Sequence, residues 1–205
     1  MTPPDQNRSK EELSSAILQT ASRLFNEYGV EAVSMHQIAK SAGVGQGTLY
    51  RRYANKADLC MGLMQNNFDQ FRCRVSDFLE SNAHQSAQFR LRGLLAIIID
   101  FLDEKLKVLG VIQAQQLMEK KREDFFSSPP YQYLHGILSG LLASADSECL
   151  TQRIDPEFLA HTYIATISPH TYCHLVNTKG YTKKEVHDRF CSFYIDTLFK
   201  EKPEV

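Results

Sequence analysis

Two short helical patterns joined by a glycine turn, within residues 34–53, constrain this chain more than any other sequence feature. Ser34 with Gln37 three residues later is the capping-box signature of a helix start, and Gly43 interrupts that helix. A second short helix is predicted over about residues 45–53. Helices this short are unstable in isolation, so they require a covering element. The sequence therefore predicts a compact multi-helix unit around this segment.

A covering helix is predicted immediately before this segment, over residues 10–28. Its apolar side chains recur at spacings of three and four, which places them on one helical face. They are Leu13, Ile17, Ala21, Leu24, Phe25 and Tyr28. Gly29 follows as a left-handed cap. Asn55 begins a long fourth helix, with Asp58 in the first turn, where the helix dipole favours an anion. Residues 1–9 are expected to form a flexible arm.

The later helices are marked by proline, glycine and capping signals. Asp155 followed by Pro156 indicates a helix start. Gly180 ends that helix, and Thr182 with Glu185 forms another capping box. The predicted helices cover about residues 86–105, 107–123, 130–146, 155–177 and 182–199. No strand-like alternation is sustained anywhere, so the fold class is all-α.

The two short helices have the features of a helix-turn-helix. Ala39 is small enough to let the helices approach, Gly43 makes the turn, and Leu49 fills the corner. The outer face of the second helix is then free to enter the DNA major groove. Hydrogen-bonding side chains occupy that face and its surroundings: Gln46, Thr48, Tyr50, Arg51, Arg52 and Lys56. Gly47 lets the backbone come close to the sugar-phosphate rim.

The charge distribution is compatible with a polyanion partner near this segment, although the whole chain carries only −1. Residues 1–56 hold seven basic and five acidic side chains, a net charge of +2, and the remainder of the chain has −3. No acidic residue lies between Glu31 and Asp58, where four basic residues occur: Lys40, Arg51, Arg52 and Lys56. Such a stretch fits a small polyanion-binding surface, but charge alone more often marks an ordinary solvated face.

The segment resembles the TetR family of bacterial transcription regulators. The matching positions are Phe25, Gly29-Val30, Ile38-Ala39, Gly43-Val44, Gly47-Thr48-Leu49-Tyr50, Tyr53, Lys56 and Leu59. The resemblance covers about residues 10–65. It implies DNA contacts from Ser34, Gln46, Thr48, Tyr50, Arg51 and Lys56. Gly45 departs from the serine that the family often has there, so a serine-type contact is not expected, but glycine is an acceptable helix cap.

The resemblance also implies the domain organisation. It predicts a three-helix helix-turn-helix DNA-binding domain over residues 10–55 and a helical ligand-binding and dimerisation domain over residues 56–205. The last two helices are expected to pair with those of a second protomer in a homodimer. Four candidate dimerisation residues lie in the final helix: Phe190, Phe193, Tyr194 and Thr197. An apolar stripe of that kind could equally be core within one protomer.

A predominantly apolar small-molecule effector is predicted from the resemblance and from the fourth helix. This helix begins beside the DNA surface and continues into the regulatory body, so one rigid element could touch both sites. The candidate ligand-binding residues are Met64, Phe68, Phe71, Phe101, Met118, Tyr131 and His170. Methionine and aromatic side chains can line an adaptable pocket, but such a stripe more often forms plain core, and that alternative stays open.

We therefore expect a sequence-specific regulator, a repressor that a small molecule releases from a palindromic double-stranded DNA operator. A ligand-independent regulator or an activator is one alternative. A helical enzyme or metal sensor is another, since His170, Cys173 and His174 form the best metal-like group in the sequence. No further ligand is evident, and the Gly-x-Ser-x-Gly and His-Glu-x-x-His motifs are absent, so we expect no enzyme activity, no cofactor and no metal.

The N-terminal residues, the short apolar runs and the cysteines lead us to expect a cytoplasmic protein with no membrane partner. The first ten residues are polar, unlike a secretory signal peptide, and no apolar run approaches the roughly 20 residues needed to span a bilayer. The five cysteines are odd in number, and no pair has the CxxC spacing. They are interpreted as small buried hydrophobic residues in a reducing compartment.

Overall fold

The computed structural model describes residues 10–119, 125–145, 150–151 and 153–199. The predicted flexible arm, residues 1–9, lies outside these ranges. The ends of two predicted helices, at residues 120–123 and at residue 146, also lie outside them.

Helices dominate the described residues. The α-helices are α1 (Lys10–Tyr28), α2 (Met35–Ser41), α3 (Gln46–Arg52), α4 (Lys56–Ser81), α5 (Ala87–Glu104), α6 (Leu106–Glu119), α7 (Pro129–Ala143), α8 (Pro156–Thr166), α9 (Pro169–Cys173) and α10 (Lys183–Phe190). A 3-10 turn at Phe125–Ser127 precedes α7. A π-helical turn at His174–Thr178 follows α9, and another at Cys191–Ile195 follows α10 and leads into a 3-10 turn at Asp196–Leu198. Within the described ranges, β structure is limited to an isolated bridge between Leu150 and Phe199. The all-α prediction is confirmed.

The predicted capping signals act at the helix starts. The Ser34 hydroxyl accepts a hydrogen bond from the Gln37 amide at 3.2 Å, and the Ser34 amide donates to the Gln37 side chain at 2.7 Å. Thr182 and Glu185 form the same reciprocal pair at the start of α10. These bonds satisfy backbone donors that have no partner within the helix, which is why the local sequence sets the boundary.

Three glycines adopt the left-handed backbone region that L-residues rarely enter. Gly29 ends α1 with φ 84°, Gly43 forms the turn between α2 and α3 with φ 68°, and Gly180 lies before α10 with φ 74°. These turns let the chain reverse without steric cost, because glycine has no Cβ.

The prediction of one uninterrupted helix over residues 155–177 is wrong. The chain is helical to Thr166, breaks at Ile167 and Ser168, and resumes at Pro169. Proline has no amide hydrogen for the helical bond and its ring crowds the preceding turn. The Ser168 hydroxyl accepts from the Thr171 amide at 3.3 Å and so caps the new helix.

The chain divides into two compact units, and each is described by itself. The first contains the described residues up to Asn67 together with Lys107–Glu119. Its core includes the fully buried side chains of Ile17, Ile38 and Leu49, with Ile112 from α6 in the same cluster.

The first unit extends beyond the predicted domain boundary at residues 55 and 56. Leu59, Cys60 and Leu63 from the start of α4 lie in its core. The beginning of α4 therefore belongs to the first unit because it supplies part of the apolar cover that α2 and α3 require.

The second unit contains Phe68–Leu106 and the described residues after 124. Helix α5 is its apolar centre, with Leu91, Leu94 and Ile99 almost fully buried. Tyr172 is also fully buried, and its hydroxyl donates to Asp103 Oδ1 at 2.7 Å. Burial together with this carboxylate raises the pKa of the Tyr172 phenol, so the group stays neutral and acts as a hydrogen-bond donor.

The cysteines mostly behave as buried apolar side chains. Cys60, Cys173 and Cys191 are buried, and burial raises the pKa of the Cys60 and Cys191 thiols to about 11. The interpretation is wrong for Cys73, which is exposed on α4. Cys149 lies outside the described residues.

None of the helices in the described ranges is both long enough and apolar enough to cross a bilayer.

Gly93 on α5 is the tightest glycine of the second unit. A Cβ at this position would lie 2.0 Å from Phe78 Cζ. We expect Gly93→Ala to destabilise the protein by about 1–3 kcal/mol through overpacking, less the smaller gain in helix propensity of about 0.5–1 kcal/mol. In a Phe78→Ala background the same substitution should become neutral or stabilising. Urea unfolding of the four proteins in this cycle measures both effects.

Gly140→Ala is the matched control, because Gly140 lies inside α7 and an added Cβ meets nothing within 4 Å. It should stabilise by about 0.5–1 kcal/mol through helix propensity alone. Equal destabilisation by Gly93→Ala with and without the Phe78 ring would contradict the packing proposed at this contact.

Candidate nucleic-acid interface

Helix α3 has a buried face and an exposed face. Leu49 is fully buried in the core of the first unit. Gln46, Gly47, Tyr50 and Arg51 are exposed, and Tyr50 retains 47% of its surface. The exposed side chains of Gln46, Tyr50 and Arg51 all carry hydrogen-bonding groups, so this face is the candidate contact surface.

The turn between α2 and α3 fixes the orientation of that face. The Val44 amide donates to the Ala39 carbonyl at 3.0 Å, and the Leu49 amide donates to the Gly45 carbonyl at 3.1 Å. Ala39 is buried and Val44 packs against the same core. The Val44 bond closes the turn after α2, the Gly45 bond begins α3, and the shared core joins the two helices in one unit.

Thr48 and Arg51 are linked on α3. Arg51 Nη2 donates to Thr48 Oγ1 at 3.2 Å, and Thr48 is half-buried. Arginine carries five N–H donors, so the Arg51 guanidinium can still bind an external acceptor.

The other two predicted basic residues are tethered to the first unit. Arg52 is half-buried and donates to the Lys10 carbonyl at the start of α1. Lys56 Nζ donates to the Glu31 carbonyl at 3.3 Å and lies 5.8 Å from the centre of the Phe25 ring. Both side chains therefore hold parts of the unit together, and a contact with DNA would use their remaining donors.

Ser34 is exposed at the start of α2, where its hydroxyl is engaged in the capping box. Asp58, the first acidic residue after the basic stretch, is similarly engaged at the start of α4. Its carboxylate accepts from the Ala54 amide at 3.1 Å, and its own amide donates to Asn55 Oδ1 at 2.9 Å. Capping therefore places this negative charge at a helix N-terminus.

Sequence reasoning missed His36. Its imidazole is exposed on α2, and Nδ1 is hydrogen-bonded to Nε2 of Gln46 on α3. The helical pattern of α2 contained the signal: with Met35, Ile38 and Ala39 facing inward, position 36 must face outward.

The predicted dimerisation residues divide between core and surface. Phe190 is only 7% exposed and packs on Tyr163 and Tyr194, so it belongs to the core of its own protomer. Phe193 is 73% exposed, and Thr197 is exposed with its hydroxyl donating to the Phe193 carbonyl at 2.9 Å. Tyr194 is half-buried beside both phenylalanines.

The predicted ligand residues do not form one group. Met64 packs against the core of the first unit. Phe68, Phe71 and Phe101 lie together in the second unit, where Phe71 and Phe101 have ring centres 4.9 Å apart. Tyr133, which sequence reasoning missed, packs edge-on against Phe68 at 5.7 Å.

The other predicted ligand residues lie apart from that aromatic group or outside the described side chains. Tyr131 is buried and hydrogen-bonded to His161 Nδ1 at 2.5 Å, whereas His170 is exposed. The side chain of Met118 is not among those described.

A small apolar cavity of about 20 Å³ lies in the second unit, between α5, α7, α8 and the final helical segment. It is lined by Leu91, Leu95, Ile98, Leu138, Tyr163, Ile167, Phe190 and Ile195. The Tyr163 hydroxyl already donates to the Tyr194 carbonyl. The lining therefore consists mainly of hydrocarbon surface. Phe190 is the one lining residue for which the sequence predicted a role, and that role was dimerisation.

The metal-like group is not assembled. Cys173 is buried whereas His170 and His174 are exposed. Across the side chains that the structure describes, no three His, Cys, Asp or Glu residues are placed to hold a metal ion.

These features define a helix-turn-helix protein. Residues 17–60 match the family described as bacterial regulatory proteins, tetR family. An HTH-type transcriptional regulator of Staphylococcus aureus strain USA300 is 31% identical over 131 residues, which span 63% of this chain and 67% of that protein. Another, from the bovine strain RF122, is 26% identical over 183 residues, 89% of this chain and 92% of that protein.

Solved structures share the fold at low sequence identity. A TetR-family transcriptional regulator from Pectobacterium atrosepticum has a TM-score of 0.71 at 14% identity, covering 95% of this chain and 99% of that one. Thermus thermophilus FadR, a TetR-family repressor solved with lauroyl-CoA, has a TM-score of 0.62 at 18% identity, covering 94% and 98%.

The chain belongs to the TetR family of bacterial regulatory proteins and is a transcriptional regulator.

Gly47 allows DNA contact to be tested separately from folding. An added Cβ meets nothing within 4 Å in the protein, and the residue lies inside α3. Gly47→Ala should therefore leave the protein equally stable or stabilise it by up to about 1 kcal/mol. Operator affinity should nevertheless fall, because the methyl group would occupy space that the sugar-phosphate rim requires. Thermal unfolding and DNA titration of the same preparation measure the two effects.

Gly110→Ala is the matched control, because it also adds a methyl group in open space on a helix, but on α6 and not on α3. Unchanged operator affinity for Gly47→Ala would contradict close approach of DNA to this position.

Proposed function

We propose that this regulator is a repressor that binds a palindromic operator as a homodimer and leaves it when a small molecule binds. The observation that carries the proposal is the exposed polar face of α3, held in place by the buried Leu49. A helix presented in this way fits the major groove, where each base pair displays a distinct pattern of donors and acceptors.

The side chains of the interface divide into two roles. Ser34 at the start of α2, Tyr50 on α3 and Lys56 at the start of α4 are proposed to contact phosphates. Gln46 and Thr48 are proposed to contact base edges. Arg51 has donors for either partner, whereas Arg52, half-buried against Lys10, is better placed for a phosphate at the margin.

A dimer supplies the contact area that one seven-residue helix lacks. Phe193 is 73% exposed and Phe158 is 65% exposed, although both are large apolar side chains in the last helical segments. Covering such rings removes apolar area from water, at about 25 cal/mol per Å². We assign Phe193, with Thr197 beside it, to the surface that meets the second protomer.

The effector is proposed to be predominantly apolar and to bind in the second unit. The support is the hydrocarbon lining of the small cavity and the apolar acyl chain of the lauroyl-CoA bound by T. thermophilus FadR, which shares the fold. A cavity of about 20 Å³ is far smaller than the roughly 300–1,000 Å³ of ligand pockets, so binding must separate the helices that line it. Helix α5 lines the cavity and contacts α4 through Phe101 and Phe71, so we propose that α4 transmits the effector signal.

Selection from random double-stranded DNA tests the proposed function. The wild-type protein should enrich one sequence with inverted symmetry, because a two-fold dimer presents the same α3 twice. Gln46→Ala should relax the preference at one base pair of each half-site, whereas Tyr50→Ala should weaken binding to all sequences. Lys179→Ala, an exposed lysine of the second unit, is the control and should bind as wild type. Selected sites without inverted symmetry would contradict the dimer on a palindrome.

Effector control predicts reciprocal coupling. Lauroyl-CoA is the first probe, titrated into the protein with and without the selected operator. If it is an effector, operator DNA should weaken its binding by the same factor, about 5–150-fold, by which it weakens operator binding. Equal affinities in the two titrations would eliminate control by this compound even if it binds tightly.

A further inference from the structure

His36 and Gln46 join α2 and α3 on the outer side of the helix-turn-helix. His36 lies in the first turn of α2, Gln46 is the first residue of α3, and both side chains are exposed. The hydrogen bond between His36 Nδ1 and Gln46 Nε2 links residues ten apart in the chain. Through this bond, a residue of α2 constrains the side chain of Gln46, the first residue on the exposed face of α3.

This bond favours one orientation of the Gln46 amide in the His36 tautomer whose Nδ1 carries no hydrogen. A glutamine side chain ends in a carbonyl oxygen and an NH₂ group, and rotation by 180° exchanges acceptor and donor. The Gln46 nitrogen can only donate, so this pairing requires the tautomer in which His36 Nδ1 is the acceptor. An acceptor at His36 Nδ1 favours the state with Nε2 towards it, because the reversed amide would bring two acceptors together.

The amide still has groups with which to read a base. Its nitrogen carries two hydrogens, so one can bond to His36 while the other remains available with the carbonyl oxygen. An N–H donor beside a C=O acceptor is the combination that pairs with N7 and N6 of adenine in the major groove.

We infer that His36 is a positioning residue for sequence recognition: it holds the Gln46 amide in the orientation that reads an adenine in each half-site. The inference rests on the proposed DNA-binding function and assigns one determinant of its specificity. His36 acts through Gln46 and need not touch a base.

Two substitutions at position 36 separate the acceptor from the shape of the ring. His36→Phe keeps a planar ring and removes the nitrogen acceptor. His36→Asn retains an acceptor, Oδ1, at the same number of bonds from the backbone as Nδ1. Each is made in the wild-type chain and in Gln46→Ala, and binding is measured against operators that carry each of the four base pairs at every position.

In the wild-type background, His36→Phe should lose about fivefold or more in discrimination for adenine at one position of each half-site, since a good bidentate contact contributes about that much or more. Preferences at other positions and the thermal unfolding temperature should stay unchanged. His36→Asn should preserve most of the discrimination. In Gln46→Ala, His36→Phe should have no further effect at that position.

Two results would overturn the role of His36 while leaving the proposed function intact. One is unchanged discrimination in His36→Phe. The other is a loss of discrimination that persists in Gln46→Ala, because His36 would then act directly on the DNA. A wild-type protein that selects no sequence would instead overturn the proposed function, and this inference with it.

Discussion

Burial of Leu49 is the interaction on which the proposed recognition surface depends. Helix α3 has only seven residues, too few to be stable on its own helical hydrogen bonds. Leu49 enters the same cluster as Ile17, Ile38 and Leu59, so three other helices hold α3 in position. With that side chain fixed inward, the helical repeat directs Gln46, Gly47, Tyr50 and Arg51 outward.

The local signals in the sequence predicted most of the fold. Capping boxes at Ser34 and Thr182 and left-handed glycines such as Gly29 set helix boundaries through bonds a few residues apart. Such interactions are visible in a short window of sequence. The helix predicted over residues 155–177 instead breaks at Ser168, because Pro169 opens a new helix there.

Tertiary assignments were less predictable from the sequence. Phe190 and Phe193 belong to the same apolar stripe, yet one lies in the core and the other is exposed. The turn of the helix that follows Phe190 is π-helical, which shifts the register that a regular repeat would predict. Met64 and Phe68 are four residues apart on α4 but fall in different compact units. Composition and periodicity identify such residues as apolar without identifying what covers them.

The candidate DNA interface, too, could be predicted only in part from the sequence. Each candidate on α3 could be found from the helical repeat, because exposure follows from the position of Leu49 alone. The hydrogen-bond partners of Gln46, Arg52 and Lys56 could not be predicted in this way. They are His36, Lys10 and Glu31, which come from other parts of the chain. Arg52 and Lys56 consequently have a structural role in addition to any contact with DNA.

Hydroxyl-radical footprinting of the full chain on its selected operator tests the central claim most directly. Two copies of α3, related by two-fold symmetry, should protect two equivalent stretches whose centres lie about 10 base pairs apart, one turn of the duplex. Ionic conditions should be held constant, because phosphate contacts make the affinity salt-dependent. One protected stretch, or protection that is the same on unrelated DNA, would contradict sequence-specific binding by a symmetric pair of α3 helices.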